Sequence, residues 1–400
     1  MKKFTKTFFS FMFALFLLTP VFITGCQKNK ESNDVQLLNC SIEHEDEFGG
    51  VYIKTTIENF NKLGFEYGDS VNITFSNGKE LKDIPYYNGY YTKNGEKLLV
   101  AYPGYPYIKV CINNGDDLWE ELNFFQGTLL AEKHTLWGEL TLDSNVTASI
   151  SLAERGKFLK IQQARDIHYL DDRTLYPNDQ VFANFRSLTG GRLKKNFIYR
   201  SASPCDNQHN RAKVVNDLIE DAGIEYILDL ADNSTKIEGY IAKDDFQSDY
   251  FETLYNNDKV LPLALNMNFN SEYFKDQIIL ALKAIAENEG PFLIHCTEGK
   301  DRTGFMCLLV EALAGATYGE IVDDYMTTYF NYYAITKAFD KERYTTIVEN
   351  VLNPMIETIV GQSITLNRDT VIEDYATAYV MQNNALTEAQ INTIKTAICR

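Results

Sequence analysis

From about residue 35 to 160 apolar and polar positions alternate in short runs, whereas beyond about residue 165 they recur with helical spacing. The first pattern is that of half-buried strands. The segments GVYIKTTI, DSVNITFS, KLLVAY, IKVCIN, LWGELTL and TASISL are rich in β-branched and aromatic residues, and Asn-Gly, Gly-Asp and Pro-Gly pairs punctuate them. Strand formers at this spacing predict a small all-β barrel or sandwich. In the second half RAKVVNDLIEDA has the spacing of a helix that stops at Gly223, and IEYILDL follows as a buried strand. EYFKDQIILALKAIAEN, Gly290 and FLIH repeat that order. Helices alternating with short apolar strands predict an α/β domain, a central sheet flanked by helices. Thr317-Tyr-Gly-Glu320 and Thr387-Glu-Ala-Gln390 fit capping boxes and predict a helical tail running to the C-terminus.

The first residues follow neither rhythm. Lys2, Lys3 and Lys6 precede an apolar run from Phe8 to Phe22, shorter than the roughly 20 residues a stable transmembrane helix wants. Ile23-Thr24-Gly25-Cys26 then resembles the lipobox of bacterial lipoproteins, in which the cysteine is acylated and becomes the new N-terminus. An ordinary signal peptide or a short membrane anchor is the alternative. The resemblance implies a signal peptide over 1–26, a polar tether over 27–34, and a protein held by diacylated Cys26 in the bacterial cell envelope, outside the cytoplasm. The β-rich domain then spans 35–162 and the α/β domain 165–400.

Charge and cysteine content narrow the chemistry. A formal net charge of −17 argues against a general nucleic-acid binder, which needs a basic surface to displace counterions. Any anion site must therefore be local. Of seven cysteines, Cys40, Cys111, Cys205, Cys307 and Cys399 are widely and irregularly spaced, with no C-x-x-C pair, and read as ordinary thiols rather than a disulfide or zinc framework. His44, His134 and His168 show no metal-ligand spacing; His209 could line a cleft. Tyr86, Tyr87, Tyr90, Tyr91, Tyr102, Tyr105 and Tyr107 form a dense group with Trp119 and Trp137 nearby. They read either as a stacking surface for an envelope ligand or as the lining of a barrel too thin to hide them.

Cys296 is the exception among the cysteines. In HCTEGKDRTG it stands just past the predicted strand FLIH, and Arg302 stands just before a helix. A loop in that place aims backbone N–H groups and a helix N-terminus at one point, which binds phosphate and favours a thiolate nucleophile. Arg302 can fork two donors onto phosphoryl oxygens. Thr297, Glu298, Gly299 and Lys300 fill the loop, and Gly299 and Gly304 give it room.

These residues resemble the signature H-C-x5-R-T-G of cysteine-dependent protein tyrosine and dual-specificity phosphatases. The form C-x-x-G-K-D-R-T-G is most similar to the bacterial branch of secreted tyrosine and lipid phosphatases. Upstream, NFRSLTGG at 184–191 resembles that branch's N-F-R-D-L-G-G, and IYRSA at 198–202 its Y-R-S. ILDLAD resembles I-D-L-R, with Ala231 where the family has arginine. The resemblance implies attack by Cys296, a cysteinyl-phosphate and its hydrolysis, with Arg302 and loop amides stabilising the transition state and with no metal or cofactor. It makes Asp301 the candidate general acid, with Asp206, Asp232, Asp244 and Asp245 as rivals, since no Trp-Pro-Asp tripeptide occurs. Thr303 is expected to support the thiolate and His295 to orient the loop by hydrogen bonding.

Lys300 resembles the loop lysine of phosphoinositide phosphatases, yet Glu298 in the same loop repels extra phosphates if it faces the pocket. Phosphotyrosine or general phosphoprotein substrates are therefore expected first, and inositol phosphates or phosphoinositides second. A non-catalytic phosphopeptide-binding module and a purely structural lipoprotein are the remaining alternatives.

Overall fold

The computed structural model describes residues 35–45, 49–126, 141–142, 146–168 and 170–400. Cys26 with its signal segment, the tether, Trp137, His134 and most of LWGELTL lie outside the described residues.

The first half is a barrel. Its strands are β1 (Gln36–His44), β2 (Val51–Ile53), β3 (Ser70–Phe75), β4 (Glu80–Tyr87), β5 (Lys97–Val100) and β6 (Ile108–Ile112), followed by a small pair, β7 (Phe125–Gln126) and β8 (Thr141–Leu142), and by β9 (Thr147–Glu154). Pairing runs β1-β2-β6-β5-β4-β3-β9 and closes from β9 back to β1. Period-2 alternation puts Val71, Ile73 and Phe75 of β3 inside, where they meet Ile53, Leu99, Val110 and Ile150. Three short helices accompany the barrel: α1 (Ile57–Lys62), α2 (Leu118–Leu122) and α3 (Leu159–Arg165). The predicted strand GVYIKTTI stops at Ile53, because the Thr56 side chain accepts a hydrogen bond from the Asn59 N–H and starts α1. A capping threonine there outweighs the strand preference of its neighbours.

The second half is the expected α/β layer structure. Its helices are α4 (Asp179–Phe182), α5 (Ala212–Asp221), α6 (Ser234–Ile241), α7 (Asp249–Asn256), α8 (Glu272–Glu287), α9 (Asp301–Leu313), α10 (Tyr318–Tyr333), α11 (Lys341–Ile347), α12 (Asn353–Val360), α13 (Glu373–Met381) and α14 (Glu388–Ile398). Its strands are β10 (Arg186–Ser187), β11 (Ile198–Ser201), β12 (Tyr226–Asp229), β13 (Val260–Pro262) and β14 (Phe292–His295), ordered β10-β11-β14-β12-β13. All but β10 run parallel. Central β14 divides its side chains between two cores: Phe292 and Ile294 pack with α8 and α9, whereas Leu293 packs with α5 and α7. Both capping boxes form, Thr317 with Glu320 at α10 and Thr387 with Gln390 at α14. Among the described residues no helix is long and apolar enough to cross a membrane.

The halves touch directly. Asn94 Nδ2 donates to the Met267 carbonyl at 3.3 Å, Lys93 pairs with Glu357 at 3.6 Å, and Arg343 Nη2 donates to the Gln163 carbonyl at 3.1 Å. The loop between β14 and α9 therefore opens beside the barrel rather than away from it.

Candidate active site

Residues 297–300 join the end of β14 to the start of α9, and their carbonyls are pinned outward. Ser203 N–H donates to Thr297 O at 3.1 Å, the Tyr332 hydroxyl to Glu298 O at 2.8 Å, and Asn184 Nδ2 and Arg200 Nη2 to Gly299 O at 3.1 and 2.8 Å. In a trans peptide the next N–H points opposite to the carbonyl. Three outward carbonyls thus turn the N–H groups of Glu298, Gly299 and Lys300 toward the inside of the loop, where the N-terminus of α9 also points. That is an anion cradle. Gly299 sits at φ +66°, and a Cβ there would collide with the Ser201 carbonyl, so glycine alone fits.

Cys296 lies buried at the base of this cradle. Arg302, the second residue of α9, is clamped across the mouth: Nη1 donates to Leu265 O at 3.0 Å and Nη2 to Thr297 Oγ1 at 3.3 Å. Asp301 opens α9 with its side chain partly exposed, 3.7 Å from Lys300 Nζ. Lys300 Nζ also pairs with Glu298 at 3.0 Å, and Glu298 approaches His209 Nε2 at 4.0 Å. Thr303 is buried, and its hydroxyl has no partner among the described residues.

His295 is fully buried at the end of β14. Alternation along β14 sends its side chain to the face of Leu293, away from Cys296, where it meets the Phe251 ring at 6.5 Å and lies 3.8 Å from Asp229. Burial pushes the imidazole down to about 4, so it is neutral at physiological pH.

The rival acids fall in different places. Asp244 and Asp245 are exposed beyond α6, and Asp206 is half-buried, accepting from Gln208 N–H at 3.1 Å. Asp232 is buried beside Asp229 and Cys205, their potential ligand atoms all within 4.8 Å of one another. Burial, then the Asp229 charge, raises Asp232 to about 6. Burial raises Asp229 to about 7 despite backbone hydrogen bonds from Ala231 and Asp232. Opposite Arg302, residues 263–270 read LALNMNFN and carry no carboxylate.

Beneath the loop lies a buried polar network. Fully buried Arg200 reaches Asp324 Oδ2 at 2.6 Å, and Arg186 reaches Asp324 Oδ1 at 2.7 Å and Asn184 Oδ1 at 2.5 Å. Burial alone would raise the Asp324 carboxyl, but the two guanidiniums hold it below the usual carboxylate range. Asn184, Arg186 and Arg200 are the polar positions of NFR and YRS, and here they support the loop rather than line it. Their partners Asp324 and Thr328 on α10, and Tyr332 on the same helix, which donates to Glu298 O, were not singled out from the sequence. Their four-residue spacing puts three polar groups on one helix face, and that was the available signal.

A family model described as "Tyrosine phosphatase family" matches residues 180–400. Among solved structures the chain is similar to the core catalytic domain of the PP-IP phosphatase Siw14 from S. cerevisiae in complex with citrate. Identity is 21%, coverage 46% of this chain and 93% of that chain, and TM-score 0.26. A second structure, of the Siw14 catalytic core, is 20% identical over 45% of this chain and 90% of that chain, with TM-score 0.25. No curated protein matches the chain.

Proposed function

Since the chain belongs to the tyrosine phosphatase family and is a cysteine-based phosphatase, we propose that it hydrolyses phosphotyrosine in proteins through a cysteinyl-phosphate. Cys296 Sγ attacks phosphorus, an S–P bond forms as the ester P–O bond breaks, and Asp301 protonates the leaving oxygen. Water then attacks the cysteinyl-phosphate, Asp301 takes up its proton, and inorganic phosphate leaves. Arg302 and the amides of Glu298, Gly299 and Lys300 hold the equatorial oxygens throughout. Asp301 is favoured as the acid because it borders the open cavity beside the loop, whereas LALNMNFN opposite Arg302 offers none.

The observation that carries the substrate choice is the 3.0 Å pair between Glu298 and Lys300. It spends the loop lysine inside the loop and leaves Arg302 to meet one phosphate. A polyphosphorylated ring would need further cations there. The test is a substrate panel: phosphotyrosine and phosphoserine peptides, phosphoinositides and inositol hexakisphosphate, with Cys296→Ser as control and EDTA present. Phosphotyrosine peptides turned over fastest support the reading; inositol hexakisphosphate turned over fastest overturns it. Binding of phosphopeptide without any turnover makes the chain a recognition module instead.

The proposal extends to location: the lipid-anchored envelope protein implied by the Cys26 lipobox. Mature protein that takes up no radiolabelled palmitate, or that loses none in Cys26→Ala, removes this part.

A further inference from the structure

The chemistry above leaves unused a cavity of about 980 Å³ that opens between the barrel and the catalytic domain. Asp301 borders it from the loop, Met267 from the segment that anchors Arg302, and Tyr90, Tyr102 and Tyr105 from the barrel. A phosphoryl group needs a small fraction of that volume, which suits the body of an organic ligand.

Three cations stand on its wall, and two are taken. Lys93 pairs with Glu357 at 3.6 Å and buried Lys109 with Glu45 at 2.8 Å. The third is Arg165, the last residue of α3, whose guanidinium lies 5.4 Å above the Tyr91 ring. Among the described residues the Arg165 side chain makes neither an ion pair nor a hydrogen bond. In a chain with 55 acidic and 38 basic residues, a half-buried arginine without a carboxylate partner is positioned for an anion from outside. The cation–π contact with Tyr91 holds the guanidinium in place before any ligand arrives.

We infer that this cavity is the subsite for the non-phosphate part of the substrate, and that Arg165 binds a second anionic group carried by it. The barrel tyrosines supply the stacking wall. The inference rests on the phosphatase reading and deepens it: the favoured substrate is a phosphotyrosine segment with an acidic residue close by, whose carboxylate meets Arg165.

The experiment compares kcat/KM of the full mature protein on a phosphotyrosine peptide flanked by glutamates, its glutamine and lysine twins, p-nitrophenyl phosphate and inositol hexakisphosphate. The wild type is expected to prefer the glutamate over the glutamine peptide by about tenfold, chiefly through KM. Arg165→Ala erases that ratio, Arg165→Lys keeps part of it, and Arg165→Glu reverses it toward the lysine peptide. A ratio that survives Arg165→Ala overturns the inference, as does an equal fall on all peptides and on p-nitrophenyl phosphate. A flat peptide ratio with a tenfold loss on inositol hexakisphosphate in Arg165→Ala supports the same site with a phosphate as the second anion. Failure of the wild type to hydrolyse p-nitrophenyl phosphate sinks the phosphatase reading itself, a result separate from these.

Discussion

Both halves of the molecule bury charge, but to different ends. In the barrel, Lys109 and Glu45 pair at 2.8 Å within a wall of aromatic rings, Lys109 lying 5.0 Å over Tyr105. In the catalytic domain, Arg200 and Arg186 both pair with Asp324 and also reach out, Arg200 to the Gly299 carbonyl and Arg186 to Asn184. The barrel pair holds no part of the loop. The catalytic network carries the shape of the loop. A buried pair that shapes no functional backbone can be exchanged for apolar residues with little loss, whereas one that positions a backbone has no apolar substitute.

Asp324→Asn is the strongest way to break that contrast. It leaves two buried guanidiniums short of a carboxylate and is expected to lower unfolding stability by about 3–5 kcal/mol. Phosphatase activity should fall below what the folded fraction explains, as measured by denaturant titration alongside aryl phosphate kinetics. Gly299→Ala comes next: positive φ and the collision with Ser201 are expected to lower stability by about 2–3 kcal/mol and to abolish turnover even at low temperature, where the protein stays folded. In the barrel, Lys109→Met is expected to lower stability by about 2 kcal/mol by removing the cation beside buried Glu45. The double variant Lys109→Met with Glu45→Leu should return to within about 1 kcal/mol of wild type. A matching double replacement of Arg200 and Asp324 should not recover, and a recovery would erase the distinction.

The smallest effect sharpens the comparison through pH. Asp229 has a native value raised to about 7 against an ordinary 3.8, so the native carboxyl holds its proton more tightly than the unfolded one. Its contribution is most favourable at low pH and is lost as pH rises through 7. Asp229→Asn removes that loss. It is expected to raise stability at pH 8 and to leave it nearly unchanged at pH 4, read from melting curves at both pH values. A gain of equal size at pH 4 would point to packing instead of charge.

The sequence was readable where chemistry restricts residue choice. HCTEGKDRTG, with FLIH before it, placed strand, loop and helix start, and the two capping boxes marked helix starts that form as expected. The α10 partners of the loop were harder to see, because Asp324, Thr328 and Tyr332 gain meaning only from what lies across from them. In the barrel half β1 and β4 were not singled out as strands, and the short helices α1, α2 and α3 were not foreseen. Segments of five to seven residues give too little periodicity to separate from turns. The tyrosine group divides: Tyr86 and Tyr87 are wholly buried, whereas Tyr90, Tyr102 and Tyr105 face the cavity. Composition could not assign them, because burial depends on strand register.

The two sheets also protect themselves against self-association in different ways. Every strand of the barrel has a neighbour on both sides, since β9 returns to β1. The open sheet ends in β10 and β13, of two and three residues, each too short to template an incoming strand. Among the described residues, crowded copies would therefore find no long free β-edge to join through.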